Sequence, residues 1–158
     1  MVGMNISETV LEVNPLDVVE QFVDHNEWIF DRRGDHEMTV SAPGRWCHYS
    51  LFFSWNATAG AMHFTCAFDR RIPEEKRHMA HELLTLINSR MWLGHFGIWE
   101  DEGLPIFRYA LPLRGAKGPS AEMVEDLLET AISECERFYP TFQYVIWGGK
   151  TAAEAISS

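Results

Sequence analysis

Two neighbouring segments, Trp46–Trp55 and Ala61–Asp69, alternate apolar and polar residues and are the strongest β-strand signal in the sequence. Side chains of a strand point alternately to its two faces, so one face of each segment is apolar or aromatic. A short loop joins the segments, which predicts an antiparallel hairpin. The two apolar sets must face the same side, because a slip of one residue would turn one set towards water. The predicted cross-strand pairs are Phe53 with Phe64 and Leu51 with Cys66.

The other face of this hairpin is mixed, with aromatic, small polar and imidazole side chains. Trp46 and Phe52 are predicted to protrude from the side opposite the helices, and exposed aromatic patches usually mark contact surfaces. Three explanations stay open: a second copy of the chain covers this face, a partner binds it, or the sheet is more buried than predicted. The contact residues predicted on this face are Trp46, His48, Ser50, Phe52, His63 and Thr65.

The segment Pro73–Leu113 predicts a long helix followed directly by a second hairpin. Pro73 suits the first helical position, where its missing N–H is no loss. An apolar face then recurs at helical spacing through Met79, Leu83, Ile87 and Met91. Gly94 is predicted to end the helix, and the strands His95–Glu100 and Pro105–Leu113 follow.

Helices are also predicted at both ends of this β-rich region. Asn14 and Pro15 form a helix start, and a short amphipathic helix continues to about Asn26. Pro119 opens a further helix, which Pro140 is predicted to kink or break. Between the first helix and the first hairpin, the strand-like segments are Trp28–Phe30 and His36–Ala42.

The resulting order, α-β-β-β-β-α-β-β-α, predicts an α+β fold in which helices pack on one side of an antiparallel sheet. The length of 158 residues fits one domain, and 46% hydrophobic residues suit a packed core. That domain is predicted over residues 14–149, with an N-terminal extension at 1–13 and a C-terminal tail at 150–158. Within the tail, Thr151 and Glu154 resemble a capping box for a short helix.

Composition disfavours several classes of protein. A net charge of −10 disfavours binding to nucleic acid and to anionic membrane surfaces. The 3 cysteines are widely spaced and include no CxxC pair, which argues against a disulfide framework or a structural zinc site. Cys66 and Cys135 fall among apolar residues and are predicted to be buried small hydrophobes. Without a signal-peptide pattern or a membrane-spanning apolar run, a cytoplasmic protein is predicted.

Two groups of residues could carry chemistry. His78 and His81 lie three residues apart on one helix, so a shared metal ion is geometrically possible, but the pattern His-x-x-His-Glu matches no established zinc motif. His48 falls opposite Asp69 in the predicted register, near Ser50, yet no nucleophile elbow accompanies this set. Solvated histidines and a cross-strand polar pair are the favoured interpretations. No catalytic residue, metal ligand or cofactor is therefore predicted.

The run Glu82–Asn88, followed by Gly94–Ile98, resembles the YbjN family. The hairpin Trp99–Tyr109 and the helix Met123–Tyr139 fit the same pattern, and the resemblance spans about Pro15–Gly149. Members are small acidic bacterial proteins described as sensory-transduction regulators, with a fold similar to type III secretion chaperones. Such chaperones are typically acidic homodimers that hold an extended client segment along apolar patches and sheet edges. The resemblance brings no catalytic residues with it.

Residues and resemblance together predict a non-enzymatic protein-binding module, chaperone-like or regulatory. It would grip a protein or peptide partner through an aromatic sheet face and an edge, and form a homodimer. The alternative is a small-molecule-binding regulator or a metal-dependent hydrolase. Its candidate groups are His48, His63 and Asp69, or the pair His78 and His81.

Overall fold

The computed structural model describes residues 14–157, which form four helices and a six-stranded sheet. The extension predicted at residues 1–13 lies outside the described residues, as does Ser158. In chain order the elements are α1 (Pro15–His25), β1 (Ile29–Arg33), β2 (Glu37–Pro43), β3 (His48–Asn56), β4 (Ala61–Ala67), α2 (Arg77–Asn88), β5 (His95–Trp99), β6 (Leu104–Pro112), α3 (Ala121–Ile146) and α4 (Ala152–Ser157). The predicted α+β class and element order are confirmed, and α4 follows them.

The sheet has the strand order β1-β2-β3-β4-β6-β5, and every neighbouring pair is antiparallel. Phe53 lies opposite Phe64 and Leu51 lies opposite Cys66, so the predicted hairpin register is confirmed. The last two strands enter in reverse order: β6 pairs with β4, and β5 takes the edge.

The core lies between the helices and the inward face of the sheet. Alternate residues of the central strands are buried there, among them Met38, Val40, Tyr49, Leu51, Phe53, Met62, Phe64 and Cys66. The ring of Phe68 lies 5.1 Å from that of Tyr139 and 5.4 Å from that of Phe142, which joins the sheet side to α3. Burial of each large apolar side chain contributes roughly 1.5–3 kcal/mol, so this layer holds the fold together.

The helix after Pro73 is shorter than predicted. A 3-10 turn, Glu74–Lys76, precedes α2, and α2 ends at Asn88 rather than near Gly94. The early end has a local cause: the Asn88 side-chain amide donates to the carbonyl of Phe96 at 3.0 Å and accepts from its backbone N–H at 2.7 Å. These two bonds hold the end of α2 against the start of β5, so the chain turns back towards the sheet after Asn88.

Gly94 has a different role from the predicted one. It lies in the loop before β5 with φ of +70°, and a Cβ at this position would lie 2.3 Å from Cζ of Phe107. Both the left-handed backbone and the contact with the Phe107 ring require glycine. The residue allows the loop to pass close over the core.

Of the two effects predicted for Pro140, a kink or a break, the break is wrong, because helix α3 continues through Pro140 to Ile146. A proline inside a helix costs about 3 kcal/mol. The turn that follows it buries Phe142, Val145 and Ile146, and this burial outweighs the cost.

The predicted capping box at the start of α4 is confirmed. The Thr151 hydroxyl accepts from the Glu154 backbone N–H at 3.2 Å, and the Glu154 carboxylate accepts from the Thr151 backbone N–H at 2.9 Å. Ala152 and Ala155 are buried against the rest of the core.

Candidate functional site

The sheet face opposite the helices is named the outer face. Strand alternation places every second residue on it, and the strand register aligns these residues in rows across the sheet. Its side chains include Thr39, Ser41, Ser50, Phe52, Ser54, His63, Thr65, Ala67, His95, Trp99, Ile106 and Arg108. The serines and both histidines among them are exposed, as in antiparallel sheets with one solvated side.

Two aromatic rings interrupt this polar surface. Phe52 on β3 and Trp99 on β5 meet with ring centroids 5.0 Å apart and ring planes at 61°. Strands β4 and β6 lie between them and contribute the cross-strand pair Ala67 and Ile106, each 1% exposed. Because the helices lie on the other side, this burial indicates that the two rings shield the pair from water. These four residues form the aromatic cluster of the outer face.

A hollow lies on each side of the Phe52 ring. The acidic hollow encloses about 630 Å³ and is lined by Phe52, Trp99, Glu100, Asp101, Glu102 and Leu104. The polar hollow encloses about 420 Å³ and is lined by Arg33, Glu37, Met38, Thr39, Phe52, Phe53, Ser54, His63 and Thr65. The outer face therefore offers an aromatic ridge between two recesses of different charge.

Five of the six predicted contact residues do lie on the outer face: His48, Ser50, Phe52, His63 and Thr65. Their contact with a partner stays a prediction. Thr65 is only 4% exposed, so it offers little surface to a partner.

The predicted placement of Trp46 on the outer face is wrong. Its ring stacks on Tyr139 of α3, with centroids 6.4 Å apart and ring planes at 3°, and the Arg45 guanidinium lies 5.0 Å from it. Strand β3 begins at His48, so the alternation that predicts the orientation of residue 46 ends before reaching it. Trp46 thus lies with the helix layer and is excluded from the candidate site.

The sequence prediction did not include several outer-face residues, among them His95, Trp99 and Arg108. Each falls in a predicted strand, but only the strand order brings them beside Phe52 and His63. Alternation within β6 gives a partial signal, since it places Ile106 and Arg108 on one side. The neighbours of that side cannot be read from the sequence.

His63, His95 and Arg108 form the basic cluster of the outer face. Arg108 lies between Thr65 on β4 and His95 on β5 in one cross-strand row, and His63 is diagonal to it. Partial burial lowers the pKa of His63, and the nearby charges of Arg108 and His95 lower it further. At neutral pH the His63 imidazole is therefore mainly uncharged.

The alternative chemical groups are not assembled into a catalytic geometry. The Asp69 carboxylate accepts from the backbone N–H of His48 at 3.3 Å, whereas a catalytic relay requires the imidazole. His78 and His81 are exposed on α2. Within residues 14–157, no group of three or more His, Cys, Asp or Glu side chains is placed to hold a metal ion.

None of the helices in this same range is long and apolar enough to cross a membrane.

Comparison with known proteins agrees with the fold. The YbjN family, described as "Putative bacterial sensory transduction regulator", matches residues 15–144. The crystal structure of "YbjN, a putative transcription regulator from E. coli" has a TM-score of 0.57 to this chain, covers 79% of this chain and 89% of its own, and shares 12% sequence identity. At this identity the similarity concerns the fold alone. No curated protein matches the sequence significantly. Because the family match extends over most of the sequence, the chain belongs to the YbjN family, which is described by a regulatory role and not by a reaction.

Proposed function

We propose that this protein is a non-enzymatic regulatory module that binds a polypeptide partner on the outer face of its sheet. The observation that carries the proposal is the contact of Phe52 and Trp99 on a face to which no described helix packs. A sheet face that only meets water needs no large apolar side chains, and small polar residues such as serine and threonine are sufficient. Two large rings in contact on this face are better explained as anchors, because buried aromatic residues dominate protein–protein binding energies.

The surroundings of the rings suit an extended chain. Ser50 and Ser54 flank Phe52 on β3 and are small and exposed, so a backbone can approach closely. The acidic and polar hollows lie on either side of the Phe52 ring and offer recesses for the side chains of the partner. Addition of a strand at an exposed sheet edge would extend the same contact. A second copy of this chain is one such partner, in which case the protein is a homodimer through this face.

A site-specific photo-cross-linker tests the proposal. Benzoylphenylalanine replaces Ser50, which is exposed on the outer face, or Glu125, which is exposed on α3. After irradiation in the native cell, we expect polypeptide adducts from position 50 and few from position 125. An adduct of twice the mass of the chain identifies a homodimer, and any other adduct identifies a different partner.

A double variant, Phe52→Ser with Trp99→Ser, links the adducts to the aromatic cluster. Loss of two anchors of about 2 kcal/mol each lowers affinity more than a hundredfold, so the adducts from position 50 should disappear. Trp46→Ser is the matched control, because Trp46 is also part-exposed but lies against α3. Unchanged adducts in the double variant, with circular dichroism showing an intact fold, contradict the proposal.

A further inference from the structure

The basic cluster is unusual within an acidic protein. His95 and Arg108 form a direct cross-strand pair, an arrangement that is destabilising when both side chains are charged. His63 adds a third basic group beside them. The chain as a whole carries a net charge of −10, so carboxylates for pairing are abundant elsewhere on its surface.

Arg108 nevertheless has no ion pair and no hydrogen bond from its guanidinium within the described range of the chain. Its Nε is enclosed by protein and lacks a hydrogen-bond partner, so only its terminal nitrogens can meet a group from outside. Arg32 shows the contrast: it binds the carboxylates of Asp17 at 2.6 Å and Glu20 at 3.1 Å. The fold thus pairs Arg32 with carboxylates of its own chain and leaves the terminal nitrogens of Arg108 available on the outer face.

We propose that the basic cluster binds a carboxylate of the polypeptide partner, held by the terminal nitrogens of Arg108 and flanked by His95 and His63. A guanidinium is suited to this ligand because its planar donors match both carboxylate oxygens. A bound anion also relieves the repulsion between Arg108 and His95. This inference rests on the proposed function, since the cluster lies on the same face.

The position of the cluster defines the partner further. Arg108 and Ile106 are two residues apart on β6, so the carboxylate would lie about 7 Å from the aromatic cluster. The matching segment of the partner combines an acidic residue with a neighbouring apolar one. Since the net charge of −10 disfavours acidic groups over most of the surface, the basic cluster is the preferred position for the acidic residue on this face.

Histidine signals in NMR spectra give a direct test on the full chain. The probes are capped tetraglutamate, its neutral isostere tetraglutamine, and inorganic phosphate. A carboxylate beside the cluster favours the imidazolium form, so tetraglutamate should raise the pKa of His63 while tetraglutamine leaves it unchanged. Other charged groups that face His63 across the polar hollow are Arg33 and Glu37. Both are present in the measurement with each of the three probes, so they do not account for a difference between probes. His78 and His81, exposed on α2, are internal controls for non-specific binding.

Arg108→Gln removes the charge and the donor fork at this position. We expect it to weaken tetraglutamate binding about tenfold or more and to abolish the rise in the pKa of His63. Arg108→Lys keeps the charge without the fork and should retain only part of the affinity. Chemical shifts of residues far from β6 report whether each variant keeps its fold.

Several outcomes would overturn the inference. One is a response of His63 to phosphate but not to tetraglutamate, which would identify a site for a small inorganic anion. Another is an equal response of His78 and His81, which would indicate unspecific charge effects. The third is no response of His63 at all in a folded chain. In each case, cross-linking from position 50 that still depends on the aromatic cluster would support polypeptide binding on the outer face. Only the proposed binding of a carboxylate by the basic cluster would then be rejected.

Discussion

The sulfur atoms of Cys66 and Cys135 lie 3.6 Å apart, one on β4 and the other on α3. The two residues are 69 positions apart in the sequence, and both are fully buried. Burial raises the pKa of Cys135 well above its usual value, and the contact with Cys66 raises it further. The pair therefore acts as a small hydrophobic contact between sheet and helix.

The cysteines should be inert towards thiol reagents in the native protein. Only the thiolate reacts, and burial raises the pKa of the third cysteine, Cys47, to about 12. We expect iodoacetamide at mildly alkaline pH to label the folded chain negligibly and to label all 3 cysteines in denaturant, as counted by mass spectrometry. Labelling of native Cys66 or Cys135 at the rate of an unfolded peptide would contradict this assignment.

Tyr49→Phe should destabilise the protein. The Tyr49 hydroxyl donates to a carboxylate oxygen of Glu136 at 2.8 Å and joins β3 to α3 beneath a fully buried ring. Hydrogen bonds to charged groups contribute about 1.5–3 kcal/mol, and we expect a loss of that size in urea unfolding. Tyr144→Phe is the matched control, because Tyr144 is exposed and its hydroxyl has no hydrogen bond among the described residues. A change of less than about 0.5 kcal/mol is expected there.

Asn88→Ala should loosen the start of β5. The substitution removes both hydrogen bonds to the backbone of Phe96, and loss of such a pair costs about 1–3 kcal/mol. We also expect faster amide hydrogen exchange at Phe96, which NMR resolves by residue. Thr85→Ala, on the same helix, removes only a local bond to the carbonyl of His81 and should leave the exchange at Phe96 unchanged.

Alanine substitutions at two glycines distinguish the cost of a strained backbone from the cost of a steric clash. Gly34 and Gly94 both have left-handed backbones, with φ of +66° and +70°, but a Cβ at Gly34 meets nothing within 4 Å. Gly34→Ala should therefore cost about 1–2 kcal/mol, the penalty of the backbone conformation. Gly94→Ala adds the clash with Phe107 and should cost about 1–3 kcal/mol more. Equal unfolding free energies for the two variants would show that the loop before β5 yields to the added methyl group.

The sequence predicts local geometry well because that geometry has local causes. Alternation with period two determines which residues of a strand share a face, and the apolar sets of the first hairpin leave one register. The pairing of Phe53 with Phe64 follows from these facts alone. Thr151 and Glu154 are likewise three residues apart and bind each other directly.

Features that depend on distant partners were missed for a physical reason. Trp99 joins Phe52 only because β6 is inserted between β4 and β5, and no local pattern determines that strand order. Pro140 is a helix breaker by propensity, but burial of the following turn outweighs propensity. The error at Trp46 has a local cause: the alternation of β3 does not apply to a residue that precedes the strand, and β3 begins at His48.

The bonds between Asn88 and Phe96 have a consequence for how this sheet can grow. They occupy the outward-facing amide and carbonyl of Phe96 in the edge strand β5, and Arg77 donates to the carbonyl of Glu100 at 3.0 Å just beyond the end of the strand. Helix α2 thus seals that margin against another β-strand. Fibril-like stacking or domain exchange at this side would first have to displace the helix, so any seventh strand would join next to β1.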